Sequence, residues 1–592
     1  MDEEIVMTPS KKGKTTSIRI EKKKKYQVDS EQIAHKAGGQ HTGLVINKQA
    51  ADLPDSSMAP HLQLEFKCFL VDRKTGKIIP ESRVLKFWFG EDTDYFDKVS
   101  GAYEFFKELI KPETFPRDYV GFIKKVMKQL QVPQYDKMKR IDVDISPLDE
   151  SEANNPQDEE SEMEAKKPKE VIVQEQLLLT LESAYPNILP TDDLAQLLNT
   201  DSRTIQDQLR ILTSKNLIKE LEPGKWVRKV LDETTEVKIV KNMPVVTQGS
   251  KPTVAIITSK YYEKLAVDAM MEDKTTFVRY KTEGESNVYT IGTIGPHRVV
   301  STKLPQIGRQ MAAQISSGNT TTRLLGTFGE VEHVLLVGVC GGVPHFSDYY
   351  NHVRLGDIIV SMPNKKGQIF NYKMNLEEIV LRGQVYIYCD KVVPDLERGQ
   401  VQYALKSWAP QDNILRSIAE QLYDKSQSDP TFEPWSEYLR EGQALLQGQQ
   451  VTFERPRPET DRLFMNIGGS DMIEVGHPAV PEEVKGKQKQ GQPVVRLGCI
   501  ASGKPIVKDD QVRMEFTARH QCIGVDTEFD QVLESIVGNR KDSFILVRGV
   551  CDYYDGTKNV VWQPYSALVA ASFMKTIIEI PENRLSSSAK TP

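Results

Sequence analysis

Arg548-Gly-Val-Cys-Asp552-Tyr-Tyr-Asp-Gly-Thr-Lys-Asn-Val-Val-Trp562-Gln-Pro-Tyr565 is the stretch on which the fold turns. The apolar run Phe544-Ile-Leu-Val547 before it reads as a fully buried strand. After it, Ala567, Ala570, Ala571, Met574, Ile577 and Ile578 recur at the three-and-four spacing of a helix face. Asp552 thus sits just past the C-terminal end of a buried strand, where parallel α/β sheets bind ligands. An acid placed there is partly desolvated and can keep a proton to donate.

Working back, three more stretches have the same form. Thr253-Val-Ala-Ile-Ile257 is a natural first strand, and Glu263 follows where it feeds a helix. Read alone, such a glutamate is a surface residue that offsets the helix dipole. Val334-Leu-Leu-Val-Gly338-Val-Cys-Gly341-Gly342-Val-Pro344 is a buried strand ending in glycines, where a ligand can approach the backbone. Val495-Arg-Leu-Gly-Cys-Ile-Ala-Ser502-Gly503 is another, expected at the same sheet edge, and Gly524-Val-Asp526-Thr527-Glu528 adds an acidic turn. Gln306-Ile-Gly308-Arg309 opens a helix, and Arg309 there could meet an anion or simply be solvated.

Taken together and in this order, the motifs over residues 252–580 resemble the nucleoside phosphorylase and methylthioadenosine/adenosylhomocysteine nucleosidase superfamily. The likeness is to the branch found as one module of larger proteins, which Arg455-Pro-Arg-Pro-Glu-Thr-Asp-Arg-Leu-Phe464 also resembles. It implies a three-layer α/β module with a mixed, largely parallel central sheet. It also implies roles: Asp552 protonates the departing base, Glu528 binds the ribose hydroxyls, and Glu263 acts on the attacking water. Gly341, Gly342, Ser502, Gly503, Ile506, Thr527 and Arg309 would line the substrate. Phe529 and Asp530 stand where the family has small residues, and Lys504-Pro505-Ile506 where a base-stacking aromatic is common. Both departures fall on the base side.

The chemistry explains why three acids belong together. Breaking an N-glycosidic bond builds positive charge on the sugar, and a purine leaves poorly until protonated. Phosphorolysis would need arginines around phosphate, whereas the first-strand loop offers only Lys260. Hydrolysis is therefore preferred, with phosphate a co-substrate only in the other case and no cofactor expected. The alternative is a module that binds a nucleoside or nucleotide without cleaving it and signals to its neighbours.

Those neighbours precede it. Residues 1–58 are polar and lysine-rich and read as a disordered basic tail. Residues 59–140 alternate as strands and then turn helical, a small α+β unit. The acidic stretch within 141–170 reads as an extended linker. Residues 171–232 carry three helices and a two-stranded wing, the pattern of a winged helix. Its third helix mixes Arg203 and Arg210 with Asp207 and glutamines, so a protein partner is preferred to DNA. Lys219, Lys225, Arg228 and Lys229 of the wing are the better phosphate candidates. The nucleosidase-like module is drawn at 250–582 and a tail at 583–592.

At 592 residues with 39% hydrophobic and 27% charged residues, the chain is long enough for several cores. Its net charge of −6 points to no bulk polyanion partner. No apolar run has bilayer length, and no secretory leader is evident. Six scattered cysteines without ligand spacing read as buried thiols in a reducing compartment, cytoplasmic or nuclear. A homo-oligomer, with a dimer favoured, is the expected assembly.

Overall fold

A computed structural model describes residues 3–51, 53, 59–71, 78–111, 114–116, 118–148, 168–229, 236–240, 251–280, 286–306, 310–363, 383–395, 400–429, 431–466, 472–481, 491–526, 529–554 and 560–580. They form a mixed α/β protein with two large sheets and a winged helix.

The larger sheet is built on apolar strands. Val254–Thr258 lies between His297–Lys303 and His333–Gly342, parallel to both. His333–Gly342 in turn runs parallel to Ser543–Asp552. The loop to Glu263, the Gly341-Gly342 pair and Asp552 therefore leave the sheet at one edge. Ile358–Ser361 then runs antiparallel to Ser543–Asp552 and parallel to Val495–Ser502. The latter strand thus points the opposite way from the motif strands. Cys522–Asp526 brings its end back, pairing Ser502 with Asp526 and Val525 with Gly341. The five strands close on themselves, a closure that no local signal announces. Helix Gln563–Ile578 packs on Ser543–Asp552 and His333–Gly342 with both its faces buried.

The N-terminal 58 residues correct the sequence reading. Glu3–Lys12 and Thr15–Lys24 are paired antiparallel strands, and Leu44–Asn47 joins them. Ile5, Val6, Ile18, Ile20, Leu44 and Val45 are buried. Charges interrupt these short apolar positions and hide their alternation. Of the lysines that suggested a tail, Lys22 pairs with Asp136 (3.2 Å) and Lys23 with Glu21 (2.8 Å). The linker reading is corrected too, because Met138–Pro147 is a strand between Ile78–Phe89 and Thr15–Lys24. Residues 149–167, the acidic remainder, lie outside the described residues.

This second sheet does not end within its own unit. The hairpin Leu463–Asn466 and Met472–Val475, more than three hundred residues away, adds its second strand to Leu62–Val71. Ile473 and Val475 are buried there in the same core as Phe66 and Cys68.

Helices Lys169–Ala184, Thr191–Leu197 and Ser202–Ser214 with strands Ile218–Glu222 and Lys225–Arg228 make the winged helix. Asp201 caps the third helix, accepting from Thr204 N at 2.9 Å. The domain keeps its own core of Leu177, Leu181, Leu194, Ile205, Leu209 and Leu212.

Candidate active site

Glu263 lies in the first turn of helix Tyr261–Ala269 and is 1% exposed. Its Oε2 accepts from Ser259 N (2.8 Å), Ser259 Oγ (3.0 Å) and Lys260 N (2.8 Å). Its Oε1 accepts from Val339 N at 2.9 Å, on the neighbouring strand. Each carboxylate oxygen has about two acceptor directions, and Oε1 uses one for Val339 N. The reading of a surface residue is thereby corrected.

Beside it stands a residue that the sequence reading passed over. Arg548 is fully buried and pairs through Nε with Asp526 Oδ2 at 2.6 Å. Its guanidinium lies 4.5 Å from the centre of the Phe529 ring. A Cβ at Gly338 would collide with both Glu263 Oε1 and Arg548 Nη1, so the two heads converge on that glycine. The Nη donors of Arg548 have no acceptor among the described residues, which is costly for a buried cation. Burial opposes the arginine's charge, but Asp526 and then Glu263 outweigh it and hold the group above the usual arginine range. The signal was present: one charge in an otherwise apolar strand.

Asp552 ends that strand half-buried and accepts from Tyr554 N at 2.6 Å. Its Cα partner across the ladder is Gly341. A Cβ at Gly341 would strike the Tyr554 ring, whereas one at Gly342 would meet Val550 and Val353. Ser502 is buried, with Oγ donating to Asp526 O at 3.2 Å. Gly503, at φ +124°, packs against the Cys389 backbone. Ile506 is buried in a satellite core with Cys389, Cys499 and Phe516. Phe529 is buried, with its ring against Arg548. Thr527, Glu528 and Arg309 lie outside the described residues. Burial pushes the Cys340 and Cys551 thiols well up, which makes them poor nucleophiles.

The winged helix is docked on the loop that holds Glu263. Lys303, fully buried, donates to the carbonyls of Ser183 (2.9 Å) and Tyr185 (3.1 Å). Burial first, then Lys260, pushes its amine down to about 7. Tyr261 OH donates to Lys229 O at 3.1 Å, and Arg228, paired within the winged helix with Glu182 at 2.9 Å, also donates to Gln450 Oε1 at 3.3 Å. The wing's cations are therefore engaged: Arg228 here, Lys225 with Glu222 (2.7 Å), Lys229 with Asn216, and Lys219 over the Tyr280 ring.

Comparison with known proteins follows these divisions. The family described as winged helix-turn-helix domain matches residues 162–230. A nucleotide-binding leucine-rich repeat (NLR)-like protein of Hyaloscypha variabilis is 26% identical over 319 residues, 53% of this chain. The chain spans only 28% of that curated relative's length. Among solved structures, a 5′-methylthioadenosine/S-adenosylhomocysteine nucleosidase of Neisseria meningitidis is 15% identical, with TM-score 0.32, covering 55% of this chain and 99% of its own. Futalosine hydrolase of Helicobacter pylori is 15% identical, with TM-score 0.31, covering 55% and 96%. The Campylobacter jejuni nucleosidase is 13% identical, with TM-score 0.31, covering 55% and 99%. No helix among the described residues is long and apolar enough to cross a membrane. The chain carries a winged helix-turn-helix domain at residues 162–230, docked on a mixed α/β module.

Proposed function

We propose that the module spanning about residues 252–580 cleaves the N-glycosidic bond of a purine nucleoside or thionucleoside by hydrolysis. The observation that carries this reading is the convergence of Glu263 and buried Arg548 on Gly338, at the sheet edge where Asp552 ends its strand.

Asp552 gives its proton to the purine, so the base departs neutral with the electron pair of the broken C–N bond. The sugar is left as an oxocarbenium-like cation. A water oriented by Glu263 Oε1 and the Arg548 Nη donors attacks that carbon and loses its proton to Glu263. Glu528 is proposed for the ribose hydroxyls. The ion pair with Asp526, with Glu263 alongside, already balances the charge of Arg548. A site neutralised in this way suits water better than a phosphate dianion, which supports hydrolysis over phosphorolysis.

The relevant assay incubates the full chain with methylthioadenosine, adenosine, inosine and guanosine, with and without phosphate, and quantifies free base. Release without phosphate is the expected result. No release from any of them contradicts the reading.

A second reading has its own observation: the Tyr554 ring packs on Gly341 beside Asp552. On that reading the module binds a purine compound as a sensor. It passes the signal through the Glu263 loop to the winged helix, whose exposed third helix faces a protein partner. Thermal stabilisation by a purine without product distinguishes it.

A further inference from the structure

The close approach at Gly341 is made by the protein itself. Tyr554 has φ +54°, a left-handed conformation that a bulky residue adopts only when its surroundings hold it. Two features hold it. Its N–H is bonded to the Asp552 carboxylate, and its carbonyl accepts from Arg513, whose guanidinium lies 5.7 Å from the ring centre. The ring edge lies close enough to Gly341 that even a methyl group there would collide with it.

A base protonated by Asp552 must also lie against Gly341, the ladder partner of that acid. Tyrosine ring and purine thus compete for the space over Gly341. The ring has somewhere to go. A cavity of about 80 Å³ adjoins it, walled by Tyr103, Phe346, Leu463 and Met514. Tyr103 belongs to the N-terminal unit and Leu463 to the hairpin that joins its sheet.

Resting on the nucleoside reading, we infer that Tyr554 is the gate of the base position. Its ring occupies that position in this structure and turns into the cavity under the N-terminal unit when a purine takes its place. The N-terminal unit then sets the accessible fraction by shaping the cavity.

Two measurements on the full chain test the gate and the underlying reading separately. In the first, calorimetry measures adenine binding to wild type, Tyr554→Ala, Tyr554→Phe and Met514→Trp. A gate closed most of the time lowers apparent affinity by its open fraction, so Tyr554→Ala should bind at least about tenfold tighter. Tyr554→Phe, which keeps the ring, should bind as wild type does, and Met514→Trp, which fills the cavity, should bind more weakly. Weaker or unchanged binding by Tyr554→Ala overturns the gate. In the second, the chain carries fluorotyrosine, and the Tyr554 resonance is assigned by its loss in Tyr554→Phe. Two exchanging environments, with the minor one depleted by Met514→Trp, are expected. A single environment overturns the gate whatever the ligand, whereas an exchanging ring with no variant binding adenine overturns the nucleoside reading.

Discussion

The N-terminal unit and the winged helix are both fastened to the same module, by opposite means. The N-terminal unit shares a sheet and a core with it: Ile473 and Val475 are 0% and 1% exposed and pack with Phe66 and Phe87. The winged helix keeps its own core and lends Tyr185 and Val227, with Leu221 packed alongside, to the larger one. Its attachment relies on polar anchors, namely Lys303, Tyr261 and the Arg228–Gln450 bond. Apolar sharing makes the first unit inseparable, whereas polar keying lets the second fold by itself and respond to charge. Each also meets a different end of the site: the first borders the cavity beside Tyr554, the second the loop of Glu263.

The largest expected effect tests the shared core. Ile473→Asp places an unpaired charge in it and should cost more than about 4 kcal/mol. Thermal denaturation of the full chain should show the main transition lost or sharply lowered. A main transition unmoved by this change would mean the hairpin is a loose attachment.

Next comes the polar key. Arg228→Ala breaks a pair whose side chains are 2% and 19% exposed. Leaving Glu182 buried and unpaired should cost about 3 kcal/mol. A urea titration followed by a probe in the winged helix should show its transition shifted while the main one stays.

The two attachments should also answer pH in the same direction but over different windows. At the hairpin, His345 N donates to His352 Nδ1 (3.1 Å), so His352 carries its proton on Nε2 and gives it to His477 Nδ1 (2.9 Å). His477 then donates to Asp461 O at 2.8 Å. Burial first, then His477, Arg496, Arg354 and His345, holds His352 well below the usual histidine range. Below pH 6.5 the unfolded histidine takes a proton that the folded one refuses, so stability falls as pH falls from there. Lys303 has its folded value at about 7 and its unfolded value at 10.5. Between them the unfolded state binds the extra proton, so stability rises with pH by about 1.4 kcal/mol per unit for this group. Denaturant melts at pH 5, 7 and 8.5 should show His352→Asn flattening the acid limb and Lys303→Met the alkaline one. Slopes unchanged in both variants would contradict the assignment.

The smallest effect expected is none. With the wing's cations engaged, the full chain should bind duplex DNA no tighter than about 100 μM at 50 mM salt. Tighter binding would mean that the polar key opens.

What could be read from the sequence was whatever is local in the chain. Asp552, Gly341 and Glu263 each follow an apolar run, and the winged-helix core repeats at helical spacing. What escaped was non-local. Nothing near Met472 says that its strand will pair with one beginning at Leu62, and nothing near Cys522 says that its strand will close a ring. Charge misled twice. Lysines around Ile18 and Ile20 masked a strand, and Arg548 within the deciding motif was not weighed as a site residue. Small residues misled in the other direction: Gly503 and Ile506 look like a ligand turn, yet they pack against Cys389 and its satellite core.

The most direct test of the account is base release from methylthioadenosine by the full chain, compared with Asp552→Asn. The account predicts release by wild type without phosphate, a loss of at least about a thousandfold in the variant, and an unchanged melting temperature. Equal release by the two proteins, or none from wild type, would contradict it.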